Sequence, residues 1–294
     1  MADNTLNLIR KHDLLVCVDS DGCLLDNMEL KHKECFCPAT VNVWDLQAVS
    51  KYARKAAEFV NLYSRSRGWN RFPALVRTLD LLYDRPEVKE VGLQKPDLTS
   101  LRHWIEVTPS LSSPALRRYV EENNIQDETL LRAARWGEEV DENIRRIVRN
   151  ILPFPNVKPT LTKIREYADV MIVSATPDEA LIRELTACGV IDYFDCVAGQ
   201  NTGTKTESIR MALETGGYTP DQVLKVGDAA SDLKAAQDNG VMFFPIVPGK
   251  ENDSWKELGD VALASFVAGV YREQKMDAYV ENFLNSLPDA QTWD

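Results

Sequence analysis

Four short polar motifs of this 294-residue chain carry residue types that could act on a charged substrate. Three of them directly follow apolar runs and the fourth opens a predicted helix: Asp19-Ser20-Asp21-Gly22, Ser174-Ala175-Thr176, Gly227 to Asp232, and Lys205. In open α/β sheets, ligands bind outside the carboxyl ends of the strands, which is where such motifs stand. The sequence therefore predicts that one sheet edge gathers the four motifs into a single site.

The chemistry of these motifs is that of phosphate and a divalent cation. Four carboxylates belong to the motifs: Asp19, Asp21, Asp228 and Asp232. Gathered together they would repel one another unless a cation lay among them, and carboxylate oxygens suit Mg²⁺. Lys205 and a hydroxyl such as that of Ser174, close to a helix N-terminus, could hold the oxygens of a phosphoryl group. We therefore expect a Mg²⁺-assisted phosphoryl site.

Each motif taken singly also has a purely structural interpretation, because Asp, Ser and Gly are common in loops and helix caps. The segment Thr176-Pro177-Asp178-Glu179 fits a capping box with proline at the first helical position. That alternative would explain Thr176 and Glu179 without any function.

Short β-rich runs alternate with helical segments, which predicts a parallel sheet covered by helices. The five predicted strands are Leu14 to Val18, Asp169 to Val173, Asp195 to Ala198, Val223 to Val226 and Val241 to Pro245. Helices are predicted at Asp178 to Cys188, Thr206 to Thr215 and Ser231 to Asn239. The chain is thus expected to have an α/β fold.

A long helical insertion separates the first strand from the second. Between about Asn27 and Leu152 the sequence has helical stretches at Leu46 to Tyr63, Ala74 to Tyr83 and Glu128 to Asn150, and a proline-rich exit follows. We therefore predict an α/β core formed by residues 1–26 and 153–294, and a helical domain formed by residues 27–152. The helical tail after Pro248 is expected to cover the sheet or, alternatively, to form a dimer contact.

Composition excludes several classes of protein. With 34 Lys and Arg against 45 Asp and Glu, the net charge of −11 gives no general attraction to nucleic acid or to anionic lipid. We see no signal peptide, and the longest apolar helical run is too short to span a membrane, so a cytoplasmic protein is expected. Six sparse cysteines indicate reduced thiols, although His32, Cys35 and Cys37 leave a partial zinc site as an alternative. The oligomeric state stays open.

The four motifs, in this order and context, resemble those of the haloacid dehalogenase superfamily, whose members are mostly magnesium-dependent phosphatases. The resemblance rests on DSDG at Asp19 to Gly22, Ser174 after VMIV, Lys205 in GTKTES, and GDAASD at Gly227 to Asp232. It implies a Rossmann-like parallel sheet core with an inserted all-helical cap domain. It does not identify the substrate, beyond a small-molecule phosphate ester.

The resemblance also implies roles for individual residues. Asp19 would be the nucleophile that forms an aspartyl-phosphate, and Asp21 the general acid and base. The transferring phosphoryl group would be bound by Ser174 and Lys205, with Ala175 beside them. The Mg²⁺ ligands would be Asp19, the backbone carbonyl of Asp21, Asp228 and, as a further ligand or as a partner of Lys205, Asp232.

The acid at Asp21 argues for a phosphatase or a phosphomutase rather than a dehalogenase. A phosphate-binding module without turnover is a further alternative, although a module that only binds would not need Asp21. In the helical insertion, Arg65, Arg67 and Arg71 could bind part of the substrate. The favoured alternative is that they form a solvated basic loop, with Trp69 and Phe72 packed in the core of the insertion.

Overall fold

The computed structural model describes residues 6–291 and divides the chain into two compact units. The first unit is Met1–Met28 with Asn150–Pro288, and the second is Glu29–Arg149 with Asp289–Asp294. The sequence places these boundaries at 26/27 and 152/153. It also assigns the whole C-terminal tail to the first unit, whereas Asp289 groups with the second. The reason is local, because the Asp289 carboxylate pairs with Arg65 at 2.9 Å and its carbonyl accepts a hydrogen bond from Arg77.

The first unit is built on a five-stranded parallel sheet, so the predicted α/β class is confirmed. Its strands are β1 (Leu14–Val18), β2 (Ala168–Val173), β3 (Cys196–Ala198), β4 (Val223–Gly227) and β5 (Met242–Pro245). Their order across the sheet is β3-β2-β1-β4-β5. Each predicted strand differs from the observed one by at most one residue at either end. Strand β1 is therefore central, with β2 on one side and β4 on the other.

Fifteen α-helices, α1 to α15 in chain order, lie within the described residues. Helices α1 to α8 are Met28–Leu30, Cys37–Val43, Ser50–Leu62, Arg71–Asp84, Pro86–Val91, Thr99–Val107, Ser113–Glu122 and Glu128–Ile147. Helices α9 to α15 are Val157–Ile164, Asp178–Ala187, Lys205–Gly216, Ala230–Asp238, Glu251–Glu257, Leu263–Val267 and Asp277–Ser286. Three π-helical segments adjoin them, at Lys31–Phe36, Leu258–Ala262 and Arg272–Met276. None of the helices in residues 6–291 has the length and apolar character needed to cross a membrane.

Two apolar layers cover the two faces of the sheet, because successive strand residues point to opposite faces. Val16 and Val18 pack into one layer, and Leu15 and Cys17 pack into the other. The C-terminal tail contributes to both layers: Leu263, Phe266 and Tyr271 join the first, and Phe283 and Leu287 join the second. The expected covering of the sheet by the tail is confirmed.

The second unit has its own core, which is made of helices alone. Phe72 lies between Trp104 and Trp136, with ring centroids 4.9 and 5.9 Å away. The Trp136 indole donates to Thr40 Oγ1 at 3.0 Å, which satisfies its one polar atom. Phe72 is fully buried, as the structural alternative for this loop expects, but Trp69 is 46% exposed and was wrongly placed in that core.

The predicted capping box at Thr176 is wrong. Helix α10 begins at Asp178 after Pro177, and no side chain caps it. The Thr176 hydroxyl donates instead to Asp21 Oδ2 at 3.2 Å. A complete capping box occurs at the start of α11, where Thr204 and Glu207 exchange hydrogen bonds. The structural alternative therefore does not explain Thr176.

A buried carboxylate ties the N-terminal segment to the amino end of β2. Asp169 accepts hydrogen bonds from the Lys11 and His12 amides at 2.8 and 3.1 Å, from His12 Nδ1 at 2.9 Å and from the Tyr218 hydroxyl at 2.5 Å. Burial alone would raise the pKa of Asp169, but these donors lower it below the ordinary value of 3.8.

Replacing Asp169 by Asn should lower the free energy of unfolding by about 1–3 kcal/mol, because buried donors lose a charged acceptor. The difference from the wild type should be present above pH 4 and shrink as the pH falls through the folded pKa, where the native carboxylate also becomes neutral. Urea unfolding at several pH values measures it. The matched change Asp221→Asn, at an 81% exposed side chain, should stay within about 0.5 kcal/mol at every pH. An Asp169→Asn difference that does not depend on pH would contradict this account.

Candidate active site

The neighbouring positions of β1 and β4 bring the first and last motifs together at the carboxyl edge of the sheet. Asp19 directly follows β1, and its amide donates to Val226 O in β4 at 3.0 Å. Asp228 directly follows β4, and Asp232 lies in the first turn of α12. One ligand oxygen from each of these three carboxylates lies within 4.8 Å of the others. The three side chains are buried.

Asp21 is presented by a tight turn after β1. The amides of Leu24 and Leu25 both donate to Ser20 O at 2.9 Å, which closes the turn. Gly22 adopts a φ of 72°, a left-handed conformation that glycine accepts without strain. The turn leaves Asp21 half-buried, two residues beyond Asp19.

Lys205 bridges the two ends of the site. It is the first residue of α11, and its Nζ lies 2.8 Å from Asp19 Oδ2 and 2.9 Å from Asp232 Oδ1. The structure thus brings together Asp19, Asp232 and Lys205, which come from three different parts of the sequence.

Charges in this buried cluster shift one another's pKa values in opposite directions. Burial, and next the charge of Asp232, raises the pKa of Asp19 above its ordinary value. Burial would do the same to Asp232, but the charges of Lys205 and Lys225 lower its pKa. Burial opposes the charge on Lys205, yet Asp19 and Asp232 raise its pKa above the ordinary value. The positive charges of Lys205 and Lys225 therefore do not fully offset the effects of burial and of Asp232 on the pKa of Asp19.

The three carboxylates fit a divalent cation. Asp232 Oδ2 is buried and makes no hydrogen bond, although Oδ1 of the same group accepts from two lysines. A buried carboxylate oxygen without a donor is costly unless a cation satisfies it. Three carboxylates form an oxygen-only donor set, which suits Mg²⁺. Asp19, Asp228 and Asp232 could hold such an ion.

Within residues 6–291, no other group of three His, Cys, Asp or Glu side chains converges in this way, so the partial zinc site at His32, Cys35 and Cys37 does not form. The six cysteines are buried free thiols.

Gly227 makes room for Asp232. A Cβ atom placed on Gly227 would lie 2.3 Å from Asp232 Cγ, well inside contact distance. The glycine is therefore required by the close approach of a side chain.

Ser174 and its neighbours form the hydroxyl side of the site. The Ser174 amide donates to Ala198 O at 2.9 Å, which fixes the residue at the end of β2. Its Oγ lies 2.7 Å from the Ser20 hydroxyl and accepts from the Thr176 amide at 3.1 Å. Ala175 between them is exposed in the loop before α10.

Asn27 is a site residue that the sequence analysis missed. It is fully buried, and its Nδ2 donates to Asp21 Oδ1 at 2.5 Å, while Thr176 donates to the other oxygen. Both oxygens of Asp21 are thus oriented by neutral donors. No sequence signal marks Asn27, because asparagine is ordinary in loops.

Lys225 is the second residue that was missed. It lies in the middle of β4, fully buried, with Nζ 2.8 Å from Asp232 Oδ1. A signal for it did exist, because a lysine inside the apolar run VLKV is unusual for a buried strand.

The three arginines proposed for substrate binding all belong to the second unit, where each has a partner. Arg65 pairs with Asp289, and Arg67 is buried and donates to Leu62 O at 3.1 Å. Arg71 pairs with Asp141 at 2.6 Å. The predicted role of these arginines in substrate binding stays a prediction.

The sequence pattern of the haloacid dehalogenase-like hydrolases matches residues 88–246, just over half of the chain. This chain belongs to that family. The matched segment contains Ser174, Lys205, Asp228 and Asp232, whereas Asp19 and Asp21 precede it. The resemblance stated from the motifs is confirmed, and the fold joins the two aspartates to the matched part.

The chain is also similar to individual known proteins. The chain is 25% identical, over 185 residues, to a phosphoglycolate phosphatase of Aliivibrio fischeri, which covers 60% of this chain and 78% of that protein. A crystal structure of a predicted phosphoglycolate phosphatase from Haemophilus somnus superimposes with a TM-score of 0.50 at 15% identity, over 81% of this chain and 86% of the other. A structure of CbbY from Rhodobacter sphaeroides in complex with phosphate gives 0.47 at 15% identity, over 88% and 99%.

Replacing Gly227 by Ala should displace Asp232 and lower the affinity for Mg²⁺ by about tenfold to a hundredfold, because the new methyl group occupies the space of that carboxylate. Isothermal titration of the metal-free protein with Mg²⁺ measures this change. The control change Gly249→Ala, where the φ of 79° strains the backbone but nothing lies within 4 Å of the new Cβ, should leave the affinity unchanged. Unaltered Mg²⁺ binding in Gly227→Ala would show that Asp232 does not contribute to the metal site.

Replacing Asn27 by Leu should lower kcat by about tenfold if Asp21 is the general acid and base that the resemblance implies, because Asp21 then loses a donor that orients it. The affinity for Mg²⁺ should not change, since the Asn27 side chain donates to Asp21 and not to the three clustered carboxylates. Steady-state kinetics together with Mg²⁺ titration measures both. Asn123→Leu, at an exposed residue that donates only within its own helix, is the control. An unchanged kcat in Asn27→Leu would rule out this role.

Proposed function

We propose that this hydrolase is a Mg²⁺-dependent phosphatase that cleaves small phosphate monoesters through an aspartyl-phosphate intermediate. The observation that carries the proposal is the placement of Asp19. It is buried at the carboxyl end of the central strand, 2.8 Å from Lys205 and clustered with two further carboxylates. Such a carboxylate can be a nucleophile when positive charge keeps it ionised.

In the first step, a carboxylate oxygen of Asp19 attacks phosphorus. A bond forms between that oxygen and phosphorus, and the bond from phosphorus to the ester oxygen breaks. The leaving oxygen takes a proton from Asp21, whose carboxyl group is oriented by Asn27 and Thr176. The alcohol departs and the phosphoryl group remains on Asp19.

In the second step, water attacks the phosphorus of the aspartyl-phosphate. Asp21, now ionised, removes a proton from that water. The bond between phosphorus and Asp19 breaks, which releases inorganic phosphate and restores the carboxylate. Asp21 thereby regains the proton that it gave up in the first step.

The remaining residues hold the phosphoryl group and the charge. Lys205 and the Ser174 hydroxyl would bind its oxygens, and the backbone amide of Ala175 would add a neutral donor. When bound by Asp19, Asp228 and Asp232, Mg²⁺ would neutralise negative charge and favour the ionised nucleophile. This matters because burial and Asp232 otherwise raise the pKa of Asp19.

The relatives suggest which ester to test first. The phosphoglycolate phosphatase of Aliivibrio fischeri makes 2-phosphoglycolate a reasonable first substrate for this chain. Sugar phosphates, nucleotides and an aryl phosphate present the same phosphoryl group and complete the panel. Binding of the rest of the substrate by Arg65, Arg67 or Arg71 is part of this proposal.

The deciding experiment measures release of inorganic phosphate from this panel, with Mg²⁺ and with EDTA. The wild type should release phosphate only with Mg²⁺, and Asp19→Asn should lower the rate at least about a thousandfold, because an amide cannot act as the nucleophile. Mass spectrometry of acid-quenched wild type should detect one phosphoryl group on Asp19. The matched change Asp13→Asn, at a 92% exposed side chain, should keep full activity.

Three other outcomes would replace the proposal. Activity retained in Asp19→Asn would exclude this nucleophile. Turnover that requires a bisphosphate would indicate a phosphomutase, which passes the phosphoryl group to a second hydroxyl. Binding of esters without turnover would indicate a phosphate-binding module.

A further inference from the structure

Lys225 lies at a strand position whose neighbours are apolar, where an apolar residue would be expected. In the sheet it lies beside Cys17 of β1 and Phe243 of β5, and both are buried in the apolar layer on that face. Lys225 itself is fully buried. A lysine is almost never found in such a place unless its ammonium group is paired.

The ammonium group of Lys225 is paired with the active-site cluster. Its Nζ donates to Asp232 Oδ1 at 2.8 Å and to Val226 O at 3.1 Å. Lys205 contacts the same Oδ1 at 2.9 Å and reaches Asp19 at 2.8 Å. Val226 O also accepts the Asp19 amide. Lys225 is therefore linked to Asp19 in two ways, through Asp232 and Lys205 and through the Val226 carbonyl.

Stability alone does not explain a lysine at this position. A buried ion pair gains little over well-packed apolar residues of similar volume, because both charges lose their hydration. Methionine has a similar length and would suit the apolar layer. The distinctive property of Lys225 is a second fixed positive charge, next to three buried carboxylates that Lys205 alone would have to balance.

We propose that Lys225 is a positioning residue that holds Asp232 beside Lys205. Its positive charge also makes the site less negative, which favours the binding of a phosphoryl dianion. This inference rests on the proposed function. Two consequences of opposite sign follow from Coulomb's law. Without the Lys225 charge, the carboxylates attract a divalent cation more strongly, whereas a phosphorylated substrate meets a more negative site.

The test compares Lys225→Met and Lys225→Gln with the wild type. In both variants, the dissociation constant for Mg²⁺, measured by calorimetry on metal-free protein without substrate, should fall by about tenfold. In the same variants, kcat/KM for the best ester should fall by about tenfold to a hundredfold. Glutamine can still donate a hydrogen bond to Asp232, so its failure to restore activity would separate the charge from the hydrogen bond. Lys234→Met, at a 73% exposed lysine of α12, is the matched control and should change neither quantity.

Other results would overturn the inference. If Mg²⁺ affinity and kcat/KM fall together with the melting temperature, Lys225 has only a structural role. The same conclusion holds if neither Lys225 variant folds while Lys234→Met does, or if Lys225→Gln behaves like the wild type. Failure of the proposed function is distinguishable, because it would appear as a wild type without phosphate release. The Mg²⁺ titration, which needs no turnover, would then decide the inference by itself.

Discussion

Repulsion among three buried carboxylates is the constraint on which the rest of this site depends. Asp19, Asp228 and Asp232 lie close enough to share one ion, and each has lost most of its hydration. Such a cluster is unfavourable unless positive charge lies within it. Two lysines supply part of that charge from inside the protein, and the remaining imbalance is what a divalent cation would correct.

The parallel sheet makes this concentration of charge possible. Central strand β1 has β4 as its neighbour, so the residues that follow the two strands emerge side by side. Helices α11 and α12 then begin at the same edge and direct Lys205 and Asp232 to it. Gly227 allows Asp232 to approach the end of β4. The order of the strands and helices therefore brings these side chains, which are far apart in the sequence, to the same edge of the sheet.

The charged cluster and the aromatic helical core belong to different units of the chain. All the clustered carboxylates and both lysines belong to the first unit, where we propose that the phosphoryl group binds. The second unit has a separate aromatic core, and its basic loop is held by internal partners such as Asp141 and Leu62. The proposed catalytic steps therefore use side chains of the first unit alone.

Local pattern in the sequence determined the five strands, six of the fifteen helices within residues 6–291 and the four motifs, because hydrophobic periodicity and the polar residues after apolar runs are encoded within a few residues. Asp19, Asp21, Lys205, Asp228 and Asp232 could thus be named in advance. Only the tertiary structure decided that Asn27 and Thr176 orient Asp21, and that Lys225 shares Asp232 with Lys205. It also decided that Trp69 is exposed and that Asp289 groups with the helical unit. These features depend on contacts between residues far apart in the chain, or on the direction of one side chain, and residue type alone specifies neither.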